Sequence, residues 1–128
     1  MSKQNVVKAY FQGLEKGSYP DVIKLFSPNA IVHSPLYDQE VEASRFYKEL
    51  FSVTRSSKIT LKNIFISPDN PNTAAGHFVY SWTLKDGTPL RFECVDVFDF
   101  VPESDKIKLL TIIYDTYNRR EGGAKIRS

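Results

Sequence analysis

Phe92-Glu93-Cys94-Val95-Asp96-Val97-Phe98-Asp99-Phe100 alternates with a period of two. That period marks an extended strand, because successive side chains along it point to opposite faces. Phe92, Cys94, Asp96, Phe98 and Phe100 share one face, and Glu93, Val95, Val97 and Asp99 share the other. A single carboxyl, Asp96, is thereby set among aromatic rings on the face expected to be buried. A carboxylate there pays heavily for desolvation unless it is paired or protonated, and acids perturbed in this way concentrate in functional sites.

The same period extends to both sides of this strand, which reads as Leu90 to Val101. Pro102 to Asp105 makes a turn, and Lys106 to Tyr117 reads as a last strand. Upstream, Lys85-Asp86-Gly87-Thr88 is a hairpin signal. Ala74 to Leu84 before it is a strand with Phe78, Tyr80, Trp82 and Leu84 on one face. Pro68-Asp69-Asn70-Pro71-Asn72 turns the chain back to a strand in which Ile59, Leu61 and Phe65 alternate with Thr60 and Lys62. Short turns between successive strands predict an antiparallel meander.

Before Ser56 the period is helical. Val6, Val7, Tyr10, Phe11 and Leu14 form one face of a helix from Ser2 to Lys16, stopped by Gly17. Ser18 caps a short second helix with Pro20 in its first turn and Val22, Ile23, Leu25 and Phe26 on its buried side. Ser27-Pro28-Asn29 ends it, Ala30-Ile31-Val32 reads as a short strand closed by Pro35, and a third helix is expected from Glu40 to Val53. The expected fold is α+β: a single domain over 1–128, its N-terminal helices packed on a curved antiparallel sheet that curls into a cone with an open mouth.

Composition sets the outer limits. A net charge of +2 is too small to imply a nucleic-acid partner. Much of that excess lies in Arg119, Arg120, Lys125 and Arg127, so 118–128 reads as a solvated basic tail. No apolar run approaches the roughly 20 residues that cross a bilayer. Cys94 is the only cysteine, which excludes an internal disulfide. These features, with an N-terminus unlike a signal peptide, lead us to expect a cytoplasmic protein. Nine Phe, seven Tyr and one Trp need a core to fill or a cavity to line.

The order of elements, with Tyr10 seven residues before Gly17, then Ala30-Ile31-Val32-His33-Ser34-Pro35, then Val95-Asp96-Val97-Phe98, resembles the NTF2-like superfamily. Within it the chain is most similar to the SnoaL-like and ketosteroid-isomerase-like branch. The resemblance implies that Tyr10 and Asp96 stand where ketosteroid isomerases keep their oxyanion-hole tyrosine and unionised aspartic acid. The family's general base, an Asp before a Pro in the first strand, is Ser34 here, and a serine hydroxyl cannot relay a proton between two carbons. His33 is the substitute, since imidazole titrates near neutrality.

Tyr10, Asp96 and His33 are therefore the candidate catalytic groups, with Ser34, Phe78, Tyr80, Trp82, Phe98 and Phe100 expected around the pocket. Against each stands a plainer role: Tyr10 as core, His33 as a half-exposed strand end, the rings as filling. His77 is a weaker candidate, and Asp38 and Glu40 fit better as charge at a helix N-terminus. Two separated histidines and one cysteine predict no metal site, and no cofactor motif is present. The related limonene epoxide hydrolases need an Asp-Arg-Asp set, but the last strand offers Ile112 where an acid would stand.

Three functions follow. The first is an isomerase, cyclase or dehydratase acting on an apolar carbonyl or polyketide-like compound. The second is a binding protein with the same cavity, and the third a protein-interaction module. The expected partners are a small apolar molecule and a second copy of the chain, paired through the sheet face that carries Val79, Val95 and Val97.

Overall fold

The computed structural model describes residues 1–37 and 39–114. The chain runs α1 (Lys3–Lys16), α2 (Tyr19–Ile23), β1 (Phe26–His33), β2 (Val41–Glu42), α3 (Ala43–Ser52), β3 (Thr54–Ile66), β4 (Thr73–Leu84), β5 (Pro89–Phe100) and β6 (Ile107–Tyr114). The fold is α+β, with N-terminal helices on a curved, open, mostly antiparallel sheet of six strands.

Local chemistry sets the helix ends. Ser2 Oγ accepts from Asn5 N at 3.1 Å to open α1, and Gly17 closes it at φ 69°, a left-handed backbone that glycine adopts without a Cβ clash. Ser18 caps α2 in the same manner, accepting from Asp21 N at 3.3 Å. Val6, Val7, Tyr10, Phe11 and Leu14 are all buried, as the helical spacing predicts.

The strand order is β2-β1-β6-β5-β4-β3. Strands β3 to β6 form the expected meander, and on β5 Cys94, Asp96, Phe98 and Phe100 all face inward and are buried. The sheet is not antiparallel throughout. β1 lies parallel to β6, with Val32 opposite Leu110 and His33 opposite Thr111. An early strand reaches the far edge of the meander by way of the helices, and so arrives in the same direction as the last strand.

Three boundaries differ from the sequence reading. Ser27-Pro28-Asn29 does not end a helix: it sits inside β1, in a bulge between Phe26 and Ile31 where Asn29 takes φ 64°. Turn-forming residues are tolerated in a strand where the ladder is already interrupted. Val41 and Glu42 pair with β1 as a short strand before α3 begins at Ala43. In β3 the register shifts between Leu61 and Asn63, which reverses the faces beyond it. Ile64 therefore packs on the core while Phe65, expected beside Ile59 and Leu61, is 55 % exposed. The basic tail and Asp38 lie outside the described residues.

Candidate active site

The inner face of the sheet and the helices enclose a cavity lined by Tyr10 and Leu14 of α1, by Ser34 and Leu36 after β1, and by Phe46 and Leu50 of α3. Phe78, Tyr80 and Trp82 of β4, Phe92, Cys94 and Asp96 of β5, and Ile112 and Tyr114 of β6 complete it. Counted out to the mouth the space is about 500 Å³, but only about 50 Å³ is wide enough for the centre of a water molecule. The interior is a narrow slot.

Asp96 lies in the middle strand of this wall, between Gly76 on β4 and Ile112 on β6. It is 1 % exposed, and its Oδ1 has no hydrogen-bond partner among the described residues. Burial alone pushes its carboxyl well above the usual 3.8, because the charged form has lost water and gained no partner. Burial thus favours the protonated carboxyl, the form that can donate a hydrogen bond.

Tyr10 comes to the same cavity from the helix side. Its hydroxyl shares a 2.6 Å hydrogen bond with that of Tyr47, and both are buried. Burial, followed by the neighbouring Tyr47 and Asp96, raises the Tyr10 phenol well above its usual range. Burial also lifts Tyr47. When Tyr47 donates to Tyr10, the Tyr10 proton is left for a third atom, so the pair can present one donor into the slot beside Asp96.

The remaining wall is aromatic and tightly held. Tyr80 and Trp82 stack at 5.8 Å with 11° between their planes. Trp82 Nε1 donates to Thr54 Oγ1 at 2.8 Å, and Tyr80 and Ser57 hydroxyls lie 3.1 Å apart. Phe92 and Tyr114 pack at 4.6 Å across β5 and β6. Burial pushes both the Tyr80 phenol and the Cys94 thiol up to about 12, so neither is a nucleophile or base at neutral pH.

The structure brings together Tyr10, Asp96, Ser34, Phe78, Tyr80 and Trp82 around one cavity. Phe98 and Phe100 share the Asp96 face but lie deeper and do not line it; Phe98 packs edge-on against Tyr10 at 5.2 Å. His33 stays outside. It is exposed at the end of β1 opposite Thr111, while Ser34 turns inward at 3 % exposure and accepts from Leu36 N at 3.2 Å. His77 faces outward too, 2.6 Å from Glu93 Oε2. Glu40 is exposed. Among the described residues, no His, Lys, Arg or Glu lines the cavity.

Tyr47 is the site residue that sequence reading passed over. It falls within the expected third helix, and nothing local told that its ring would carry a hydroxyl to Tyr10. Phe92 was legible, since it shares the period-two face of Asp96.

The profile of the SnoaL-like domain matches residues 7–110, and the chain belongs to that family. A search of curated proteins gives no match. Among solved structures, the chain is similar to SalBIII, described as an epoxide hydrolase/cyclase-like enzyme in pyran ring formation in the polyether salinomycin. The TM-score is 0.76 at 21 % identity, over 89 % of this chain and 91 % of that one. It is also similar to an NTF2-like protein from Exiguobacterium sp. 255-15 (TM-score 0.71, 18 % identity, 87 % and 98 % covered). A cystatin-like protein from Methylobium petroleophilum gives TM-score 0.74, 16 % identity, and 90 % and 76 % coverage. At these identities the likeness defines the NTF2-like fold. Among the described residues no helix is long and apolar enough to cross a membrane, and no three His, Cys, Asp or Glu side chains gather where a metal could sit.

Proposed function

We propose that the protein binds a small, largely apolar molecule through an oxygen acceptor and acts on it as an isomerase, cyclase or dehydratase. One observation carries the reading. A fully buried carboxyl with an unpartnered oxygen opens onto an apolar slot, beside a tyrosine hydroxyl that belongs to a relay of two. Two donors fixed in a dry site stabilise charge developing on a carbonyl oxygen, because they need no reorganisation as it forms. The ring-forming chemistry named for SalBIII is of a kind that an acid of this sort serves. The absence of a His, Lys or Glu base from the described lining residues favours a second reading, a binding protein with the same cavity. On the catalytic reading, proton removal falls to Asp96 itself after it has donated, or to a group of the substrate.

We further propose that the protein is cytoplasmic and pairs with a second copy through the outer face of the sheet. There Val95 and Val97 lie in neighbouring rows with Ile113, which is 52 % exposed.

The test is a titration of substituted naphthols and phenols, followed by the fluorescence of Trp82 in the wall. Wild type should bind the more acidic phenols more tightly, Asp96→Asn modestly less so, and Asp96→Ala should lose affinity by about tenfold or more. Equal binding by wild type and Asp96→Ala would make Asp96 a structural acid.

A further inference from the structure

The described lining of the cavity lacks one kind of charge. Asp96 has an unpartnered oxygen at 1 % exposure, yet among the described residues no lysine, arginine or histidine lines the space. What surrounds it is aromatic: Tyr10, Phe78, Tyr80, Trp82, Phe92 and Tyr114. Rings attract a positive charge through their quadrupole, and they suit one spread over methyl or methylene groups, which also sheds its water readily. An inorganic cation fits poorly, since one carboxyl supplies too few of the oxygens it needs.

We propose that this cavity takes an organic ammonium group, with Asp96 as its counter-ion and the aromatic wall as its cage. The inference rests on the reading of the cavity as a small-molecule site, but not on the donor chemistry proposed there. It identifies a substrate class: an apolar compound that carries an amine. The slot offers about 50 Å³ to water-sized centres, several times the ~10–15 Å³ that one water needs, which suits a compact head. A second hollow of about 350 Å³ shares Leu36, Phe46, Leu50 and Trp82 with the slot, and offers room for the body of the molecule towards solvent.

Proton linkage makes the idea measurable. Burial favours the protonated form of Asp96 in the free cavity; a cation binds the carboxylate, so a proton held there leaves for solvent as the cation enters. The other titratable groups facing Asp96 are Tyr10 of α1, Tyr47 of α3, Tyr80 of β4, Cys94 of β5 and Tyr114 of β6. Burial raises Tyr10 and Tyr47, and holds Tyr80 and Cys94 at about 12. Asp96 is therefore the group that titrates on the acid side. Affinity for a permanent cation should rise up to tenfold per pH unit until the free carboxyl ionises.

The experiment compares benzyltrimethylammonium with neopentylbenzene, its uncharged isostere, by calorimetry between about pH 5 and about pH 8 in buffers of different ionisation enthalpy. The expected result is tighter binding of the cation at the upper end, release of close to one proton, and a neutral isostere indifferent to pH. Asp96→Asn should erase the difference between the two ligands. Equal affinities with no proton release in wild type would overturn the inference. So would failure of the cation to bind while naphthols do, an outcome that leaves the proposed pocket standing. If cation, isostere and naphthols all fail, both readings fall together.

Discussion

The ring of Phe11 lies against Gly76 so closely that a Cβ at the glycine would stand 2.6 Å from its Cε2. The ring cannot swing aside, because Phe11 is 3 % exposed and packs on Phe78 at 4.5 Å. Gly76→Ala should therefore destabilise the protein by about 1–3 kcal/mol, the usual cost of overpacking. The double variant Gly76→Ala/Phe11→Leu should cost less than the sum of its parts. Urea unfolding of the four proteins measures both quantities; strict additivity would mean that the ring is not what fills the space.

Asp96 makes stability depend on pH in a defined direction. Its folded value lies above the unfolded 3.8, so between the two the native state holds a proton that the unfolded chain has lost. Stability should thus be greatest, in this respect, below the unfolded value and fall as pH rises towards the folded one, by up to about 1.4 kcal/mol per pH unit. Asp96→Asn should remove that slope and melt higher than wild type at neutral pH, with the advantage vanishing near about pH 4. An advantage that stays constant with pH would show that the carboxyl is already charged in the native protein.

The Tyr10 and Tyr47 hydroxyls should couple. Removing either leaves the other buried without its partner, which costs about 1–3 kcal/mol, whereas removing both leaves nothing unsatisfied. In a cycle of Tyr10→Phe, Tyr47→Phe and the double variant, the double should cost less than the two singles added together. If the effects simply add, the two hydroxyls find other partners.

The proposed dimer face gives a fourth prediction. Light scattering at micromolar concentration should give twice the monomer mass, through an interface of more than about 1,000 Å². Ile113→Glu would place paired negative charges in that interface and should return the monomer without lowering the yield of folded protein. A monomeric wild type would sink the proposal.

How far the sequence could be read depended on whether the signal was local. The period of two on β5 placed Asp96 inward, and the helical face of α1 placed Tyr10, because each follows from backbone geometry alone. Phe65 was misplaced because a single extra residue near Lys62 reverses the faces of a strand, and no composition signal marks such a bulge. The parallel pairing of β1 with β6 rests on contacts some 80 residues apart, as between Ser27 Oγ and the Ile107 carbonyl, and was hidden for that reason. His33 and Ser34 differ by one position, and only the end of β1 decides which of them turns inward.

That parallel pair also bears on how the protein is born. Tyr10 leaves the ribosome long before Ile112 and Tyr114, which close the same cavity and belong to the last described strand of the sheet. A growing chain that has not yet made β6 therefore holds β1 paired with β2 alone and has one wall of the cavity open to water. The aromatic rings of β4 and β5 must wait uncovered until β6 arrives, and the described wall of the site is complete only with that strand.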